Sequence, residues 1–312
     1  MTQPLRYTNK HNLPAEVVAA ITKDRYTNLE EAPSDFSASS MVAPIQKTIL
    51  ERRHPDKLKV FDVLDDFWSF IGSIAHAVLE EAWHESMGSK VEERLYMAIH
   101  GKTISGKMDC YHNGMIRDYK TTKVYKIMKA DYTDWEIQMN IYAELCRENG
   151  WPVQEIKIIP LLLDWKEGES YKQGYPKAQI LVLPIRLWDQ TEARKWINNR
   201  ILDLLDAQKL TDEELAENYP CSDHERWADF RDYAILKEGA ARATKCFETQ
   251  EEAEKFFAEK GFSQPEHRIE KRIDPPKRCM RYCAAATVCK QWEKDKEKVG
   301  EASDTPGDAP AF

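Results

Sequence analysis

The chain has 312 residues, 42% of them hydrophobic, and a formal net charge of −8. This length and apolar content can bury the core of one large domain or two, while the absence of any run of about 18 apolar residues excludes a transmembrane helix. Met1–Lys10 lacks the apolar centre of a signal peptide, so a reducing cytoplasm is the expected location, and the net acidity argues against tight, static binding to phosphate backbones.

In chain order, Leu13–Ile21 reads as a short helix, Glu30–Ser40 as a loop and Ala43–Arg53 as a second helix, which makes residues 1–60 an N-terminal helical region. Phe67, Ile71, Ile74, Ala75, Val78 and Ala82 recur at helical spacing and predict an amphipathic helix over roughly residues 63–85. His76 sits just off that stripe. Glu80 lies one turn beyond it on the same side, so the two can reach a metal or a phosphate together.

Asn113-Gly114 separates two runs rich in apolar and β-forming residues, Ile104–Tyr111 and Met115–Thr121, and is a strong hairpin signal because both central residues must take positive φ. A two-residue loop fixes the register, pairing His112 with Met115, Tyr111 with Ile116, Cys110 with Arg117 and Asp109 with Asp118. Paired residues share a face, and alternation puts Lys120 on that face and Tyr119 on the other. Like charges directly opposite each other destabilise a sheet unless something neutralises them, and a divalent cation does so. Hard oxygen donors suit Mg²⁺ or Mn²⁺. Such an ion polarises a phosphoryl oxygen and lowers the pKa of a bound water, while the Lys120 ammonium can hold that water or stabilise developing charge. Arg117, Lys120, Lys123, Lys126 and Lys129 gather positive charge around this point, and Arg117, Lys123 and Lys126 are candidate contacts to DNA.

Trp135–Glu148 is a predicted helix with Gln138 and Tyr142 on one face. Glu155–Leu163 and Ala178–Leu187 read as strands and Asp189–Leu205 as a helix.

Taken in order, Gly72-x3-His76 on a helix, Gly106-x2-Asp109 on a strand, Asp118-Tyr119-Lys120-Thr121 on the next strand and Gln138-x3-Tyr142 on the following helix resemble a family. It is the PD-(D/E)XK nucleases, in the branch of RecB and AddB nuclease domains, CRISPR adaptation exonucleases and many phage exonucleases. The resemblance covers roughly residues 60–165. It implies that His76, Asp109, Asp118 and the backbone carbonyl of Tyr119 bind the metal, that Lys120 is catalytic, and that Gln138 and Tyr142 position the DNA backbone and the lysine. It implies an α/β fold with a restriction-endonuclease-like core, a mixed β-sheet flanked by helices, over residues 61–212. DNA is then the substrate, and a phage single-strand annealing protein is an expected partner.

Seven cysteines are present, and three form Cys279-x3-Cys283-x5-Cys289. In a reducing compartment such clustering points to metal ligation and not to disulfides. Cys221, in a turn, is the expected fourth ligand, with Cys246 the alternative; Cys110 and Cys146 read as core residues. Four thiolates satisfy either zinc or a 4Fe-4S cluster. The chain lacks the paired C-x2-C spacing common at structural zinc sites, and one remote cysteine plus a terminal trio resembles the 4Fe-4S staple of AddB and the CRISPR adaptation nucleases. In those relatives the lone cysteine precedes the histidine motif, whereas Cys221 follows the nuclease core. The ligands therefore define a separate C-terminal α+β module, residues 213–292, stapled by its metal.

Within that module Tyr233–Lys237 and Ala243–Phe247 read as paired strands, Thr249-Gln250-Glu251-Glu252 as a capping box opening a helix, and Glu266–Ile273 as a strand. Trp227, Phe230, Tyr233, Phe247 and Phe256 are its expected core. Residues 293–312 read as a disordered tail. The function expected is a metal-dependent DNA exonuclease of phage or prophage type. A structure-selective endonuclease of the same fold, or a non-catalytic DNA-binding or partner-docking protein, are the alternatives.

Overall fold

In the computed structural model, which describes residues 7–23, 33–84, 89–240 and 242–303, two tight turns organise the first of two units. His100 and Gly101 join β4 (Lys90–Ile99) to β5 (Lys102–His112), and Asn113 and Gly114 join β5 to β6 (Met115–Thr122). All four turn residues have positive φ, at 50°, 67°, 47° and 79° in chain order, the geometry that lets a two-residue loop follow the twist of its strands. The chain then crosses through α5 (Val124–Lys129) and α6 (Thr133–Glu148), and β7 (Glu155–Leu162) returns parallel to β6 with Asp118 opposite Ile158. A parallel return requires such a crossover. β8 (Leu183–Ile185) pairs antiparallel with β7.

This unit, Met1–Ala43 with Val60–Asp206, is a mixed sheet flanked by helices. β4 pairs along one edge of β5 from Lys102 to Tyr111. The other edge is shared, because β6 pairs with Cys110–His112 and β2 (Phe36–Ser37) pairs parallel with Ile104 and Ser105. Asp35 secures the second arrangement: its N–H donates to the Thr103 carbonyl, its carboxylate accepts from the Thr103 N–H at 2.8 Å, and Lys102 Nζ lies 3.0 Å from it. Between the two pairings β5 and β6 part.

α6 buries Met139, Ile141, Ala143, Leu145 and Cys146. It also buries two polar residues, each fully engaged as burial demands. Asn140 donates to the carbonyls of Glu136 and Arg186 and accepts from the Trp188 N–H. Glu144 meets Arg147, and Arg194 of α7 (Gln190–Ala207) at 2.6 Å. Further elements of the unit are α1 (Ala15–Thr22), α2 (Ala38–Val42), α4 (Phe67–His84) and a short parallel pair, β1 (Tyr7–Thr8) with β3 (Phe61–Asp62).

The second unit joins Pro44–Lys59 to Ala207–Phe312. α3 (Ile45–Arg53) is tied to α8 (Asp212–Asn218) through Arg53 and His54, both on the Asp212 carboxylate. The sequence groups this helix with residues 1–60; its polar partners lie in the C-terminal half. β9 (Phe230–Lys237) is flanked antiparallel by β10 (Lys245–Phe247) and β11 (His267–Ile273), with α10 (Gln250–Glu259) packed against the sheet. Thr249 Oγ1 caps α10 by accepting from the Glu252 N–H. The unit also contains α9 (Asp223–Arg226) and α11 (Lys290–Ser303).

Five expectations change. The loop expected over Glu30–Ser40 contains, in its described part, β2 and the start of α2, opened by a reciprocal cap between Ser37 and Ser40; residues 30–32 lie outside the described residues. The strand expected over Ala178–Leu187 shrinks to Leu183–Ile185 plus a single bridge from Ile180 to Leu161. The apolar stripe of α4 is not the buried face: Ile74 and Val78 are exposed, because the Gly72 and His76 side turns inward, with Gly72 close enough to β6 that an added Cβ would meet Thr121 Oγ1 at 3.1 Å. The C-terminal sheet is cored by Ala234, Ile235 and Ala253, while Trp227 and Phe230 are exposed and Tyr233, Phe247 and Phe256 are half-buried. Residues 293–303, expected disordered, continue α11, held by the Arg226–Asp295 ion pair and by Gln291, which exchanges two hydrogen bonds with the Cys221 backbone; residues 304–312 lie outside the described residues.

Gly106 allows α6 to sit on β5. A Cβ there would stand 2.5 Å from Leu145 Cδ1 and 2.9 Å from two ring carbons of Tyr142. Gly106→Ala is expected to cost about 1–3 kcal/mol through overpacking, read as a lower denaturant midpoint at unchanged slope.

Candidate active site

Where β5 and β6 part, side chains take over from the backbone ladder. The predicted register is found from His112–Met115 to Cys110–Arg117 and stops there. The next pair, Asp109 with Asp118, is not a ladder pair, because the Tyr119 N–H donates to Asp109 Oδ2 at 2.7 Å. The reason lies in β5's shared edge, whose later stretch belongs to β2.

Asp118 and Lys120 share a face as alternation requires, with Lys120 Nζ 2.8 Å from Asp118 Oδ2. That oxygen is buried and accepts no hydrogen bond of good geometry, an arrangement costly for a carboxylate. Burial raises the Asp118 pKa to about 6, opposed by Lys120 and aided by Asp109. Lys120 also donates to Gln138 Oε1 at 3.0 Å, and Gln138 Nε2 donates to the Tyr142 hydroxyl at 2.9 Å. Tyr142 is buried, which pushes its phenol well above the ordinary value and keeps it neutral. The resulting chain from Tyr142 through Gln138 fixes the lysine against the carboxylate.

His76 reaches the same point from α4. Its Nε2 donates to the Tyr119 carbonyl at 3.0 Å, and its Nδ1 lies 3.3 Å from Asp109 Oδ1 and 3.9 Å from Glu92 Oε1. Burial disfavours its charge, but hydrogen bonds to Asp109 and Glu92 and the surrounding carboxylates outweigh this and raise its pKa to about 10. A cation bound here would take the place of that proton, because imidazole ligates metals only when neutral.

Glu92 and Lys107 are absent from the sequence reading. Glu92 lies within β4 at φ 52° and interrupts the ladder between Val91 and Glu93. Left-handed backbone at a non-glycine residue costs on the order of 1–3 kcal/mol and collects at functional sites. Here it delivers the carboxylate to His76 and to Lys107, whose Nζ is 2.6 Å from Glu92 Oε2. Burial raises the Glu92 pKa, yet His76 and Lys107 together hold it below the ordinary carboxylate value. The signal was present: counting back from the His100–Gly101 turn places residue 92 opposite residue 109.

His76, Glu92 and Asp109 each offer a ligand atom within 4.8 Å of the others, and they are the one such group of three among the described residues. The donor set, one imidazole and hard oxygens, with the buried Asp118 carboxylate alongside, fits a divalent cation. Glu80 is not in this group. Arg117 is turned by alternation to the opposite face, where its Nε lies 3.4 Å from Met115 Sδ. Lys123 and Lys126 lie beyond the strand, their ammonium groups over the rings of Trp68 and Trp135.

In the second unit Cys221, Cys279, Cys283 and Cys289 line one cavity, together with Gln46, Leu50 and Trp292. Gln46 Oε1 accepts from Cys289 Sγ at 3.0 Å. Burial raises all four thiols, Cys221 to about 12 and Cys279 to about 11. Cys246 lies elsewhere, on β10, with its sulfur accepting from Arg272. Cys110 and Cys146 are buried in the first unit.

No family model matches the sequence, nor does any curated protein. Solved structures do match. An alkaline exonuclease from Laribacter hongkongensis aligns at 10% identity over 58% of this chain and 93% of that one, with a TM-score of 0.36. A phage-related exonuclease from Haemophilus somnus aligns at 16% identity over 61% and 98%, with a TM-score of 0.37. A putative exonuclease from Eubacterium rectale aligns at 17% identity over 61% and 76%, with a TM-score of 0.31. Among the described residues no helix is long and apolar enough to cross a membrane.

If Glu92 belongs to the cation site, Glu92→Gln weakens Mn²⁺ binding at least about 10-fold, the loss typical even of an outer-shell partner. Isothermal titration calorimetry on the variant and the parent protein measures the change.

Proposed function

We propose that this protein is a divalent-metal-dependent deoxyribonuclease acting on DNA ends, with His76, Glu92, Asp109 and Asp118 as the residues that would hold Mg²⁺ or Mn²⁺, helped by the Tyr119 carbonyl. The observation that carries the proposal is the buried Asp118 carboxylate, its Oδ2 2.8 Å from Lys120 Nζ, beside the group of His76, Glu92 and Asp109. A binding module gains nothing from such a buried and costly cluster, which favours an enzyme over a DNA-docking protein. The metal would supply Lewis acidity to a phosphoryl oxygen and a lowered pKa to its water.

The protein's own contribution is positioning and charge. Lys120, restrained by Gln138 and Asp118, places an ammonium where negative charge develops on the phosphorus oxygens. Gln138 and Tyr142 act through Lys120, limiting the orientations it samples. An exonuclease mode, a phage recombination setting and an annealing partner extend this proposal and rest on the motif resemblance.

Asp118→Ala and Lys120→Ala are each expected to reduce Mg²⁺-dependent digestion of linear DNA at least about 100-fold, the scale of one lost transition-state donor. Wild-type digestion by either variant removes the assignment. Covalently closed circular DNA is expected to resist the parent enzyme; its cleavage makes the protein an endonuclease.

We also propose a 4Fe-4S cluster on Cys221, Cys279, Cys283 and Cys289. All four line one cavity of the second unit, and the lack of paired C-x2-C spacing favours the cluster over a structural zinc site. Protein purified without oxygen is expected to be brown and to lose its colour in Cys221→Ser. Colourless protein carrying stoichiometric zinc refutes the cluster, and colour retained in Cys221→Ser removes Cys221 from the ligand set.

A further inference from the structure

Immediately beyond the catalytic strand the chain builds a surface that a duplex-binding patch does not need. Residues 119–130 contain four lysines and no acidic residue, in a chain of net charge −8. α5 is anchored by its inner side: Val124 is buried in a cluster with Leu162 and Tyr175, Ile127 packs against that cluster, and the Val124 N–H donates to Asp164 Oδ1 at 2.7 Å. The outer side carries Tyr125 and Met128, 63% and 54% exposed, and Trp68 of α4 is 55% exposed. Ile74, Val78 and Val182 of this unit are exposed as well; what sets this surface apart is that its exposed rings stand among lysines, which suits an anionic partner with flat apolar groups.

The lysines recur every third residue, from the residue capping α5 to its last residue, and each lies over a ring. Lys123 Nζ is 5.6 Å from the centroid of Trp68, Lys126 Nζ 5.2 Å from Trp135, and Lys129 Nζ 6.0 Å from Tyr125. Trp135 is itself stacked on Tyr132, with centroids 5.4 Å apart and planes 5° from parallel. The cations of this one segment thus lie against rings supplied by α4, α5 and α6.

We propose that Trp68, Tyr125 and Met128, with Lys123, Lys126 and Lys129, form a stacking platform for an unpaired DNA strand. The proposal rests on the nuclease reading and assigns that site its substrate form. Aromatic faces accept any base by stacking, and ammonium groups take the phosphates between them. In a duplex the base faces are already occupied by their neighbours, so exposed rings add little there and lysines alone suffice. An anionic membrane offers phosphates too, but the chain passes from Asp118 and Lys120 on β6 into α5 within four residues, which joins the platform to a site suited to phosphodiesters.

The test is fluorescence anisotropy of labelled oligo(dT) with the full-length protein in EDTA, where no cleavage occurs. Trp68→Ala and Tyr125→Ala are each expected to weaken binding about 10-fold, within the range of one lost base stack, whereas Tyr125→Phe, which keeps the ring, stays near the parent. A blunt duplex is expected to bind more weakly than oligo(dT) and to be indifferent to the variants. Unchanged affinity of both alanine variants overturns the platform, as does failure of the parent to bind oligo(dT), equal losses on the duplex, or preferential binding to phosphatidylserine vesicles. Digestion of linear DNA by the parent in Mg²⁺ is scored separately. If it occurs and the platform variants bind normally, only the platform falls; if it fails while oligo(dT) binding depends on Tyr125, only the nuclease reading falls.

Discussion

The parting of β5 and β6 after Cys110 is the constraint on which the site depends. Were the ladder to continue, the backbone groups of Asp109 and Asp118 would be spent on each other and their carboxylates would face across the strands with no relief. β2 takes Ile104 and Ser105 on the same edge, and past the fork the Tyr119 N–H donates to Asp109 while the Tyr119 carbonyl accepts from His76. Irregular pairing thereby turns backbone groups into part of a charged site. Lys107, Lys120 and the His76 imidazolium offset the buried carboxylates, which would otherwise be prohibitively expensive.

Local rules made much of this legible. Asn113-Gly114 specifies its turn type through positive φ, and the register that follows is correct for as long as the strands remain paired. The spacing of Gln138 and Tyr142 places both on the lysine's side of α6 whatever else packs there. The fork itself is a tertiary fact, because it needs a strand from residues 36–37 to compete for β5. Glu92 went unread because the strand that carries it, Lys90–Ile99, was itself not read from the sequence. The α4 stripe shows the converse error. Periodicity finds a helix and its apolar face, but Gly72 and His76 are drawn inward by contacts with β6, and that outweighs the burial of Ile74 and Val78.

The cysteine cavity is a different problem. Spacing identified the trio and composition the remote fourth, yet the wall formed by Gln46 and Leu50 comes from a helix far upstream. The expected aromatic core proved peripheral, its rings lying beside one another and under lysines instead. Ala234, Ile235 and Ala253 lie at the centre of that sheet, and the larger buried side chains of the unit, Ile49, Leu50 and Leu215, come from its helices.

The discontinuity of that second unit has a consequence for biosynthesis. α3 leaves the ribosome long before the residues that complete its unit, and the whole first unit intervenes. Since domains fold as units, with N-terminal ones first during translation, the wall carrying Gln46 must wait for the residues of its own unit while the first unit is made. The cysteine cavity is therefore the last part of the molecule to close, and whatever it holds can enter only once synthesis has passed Cys289.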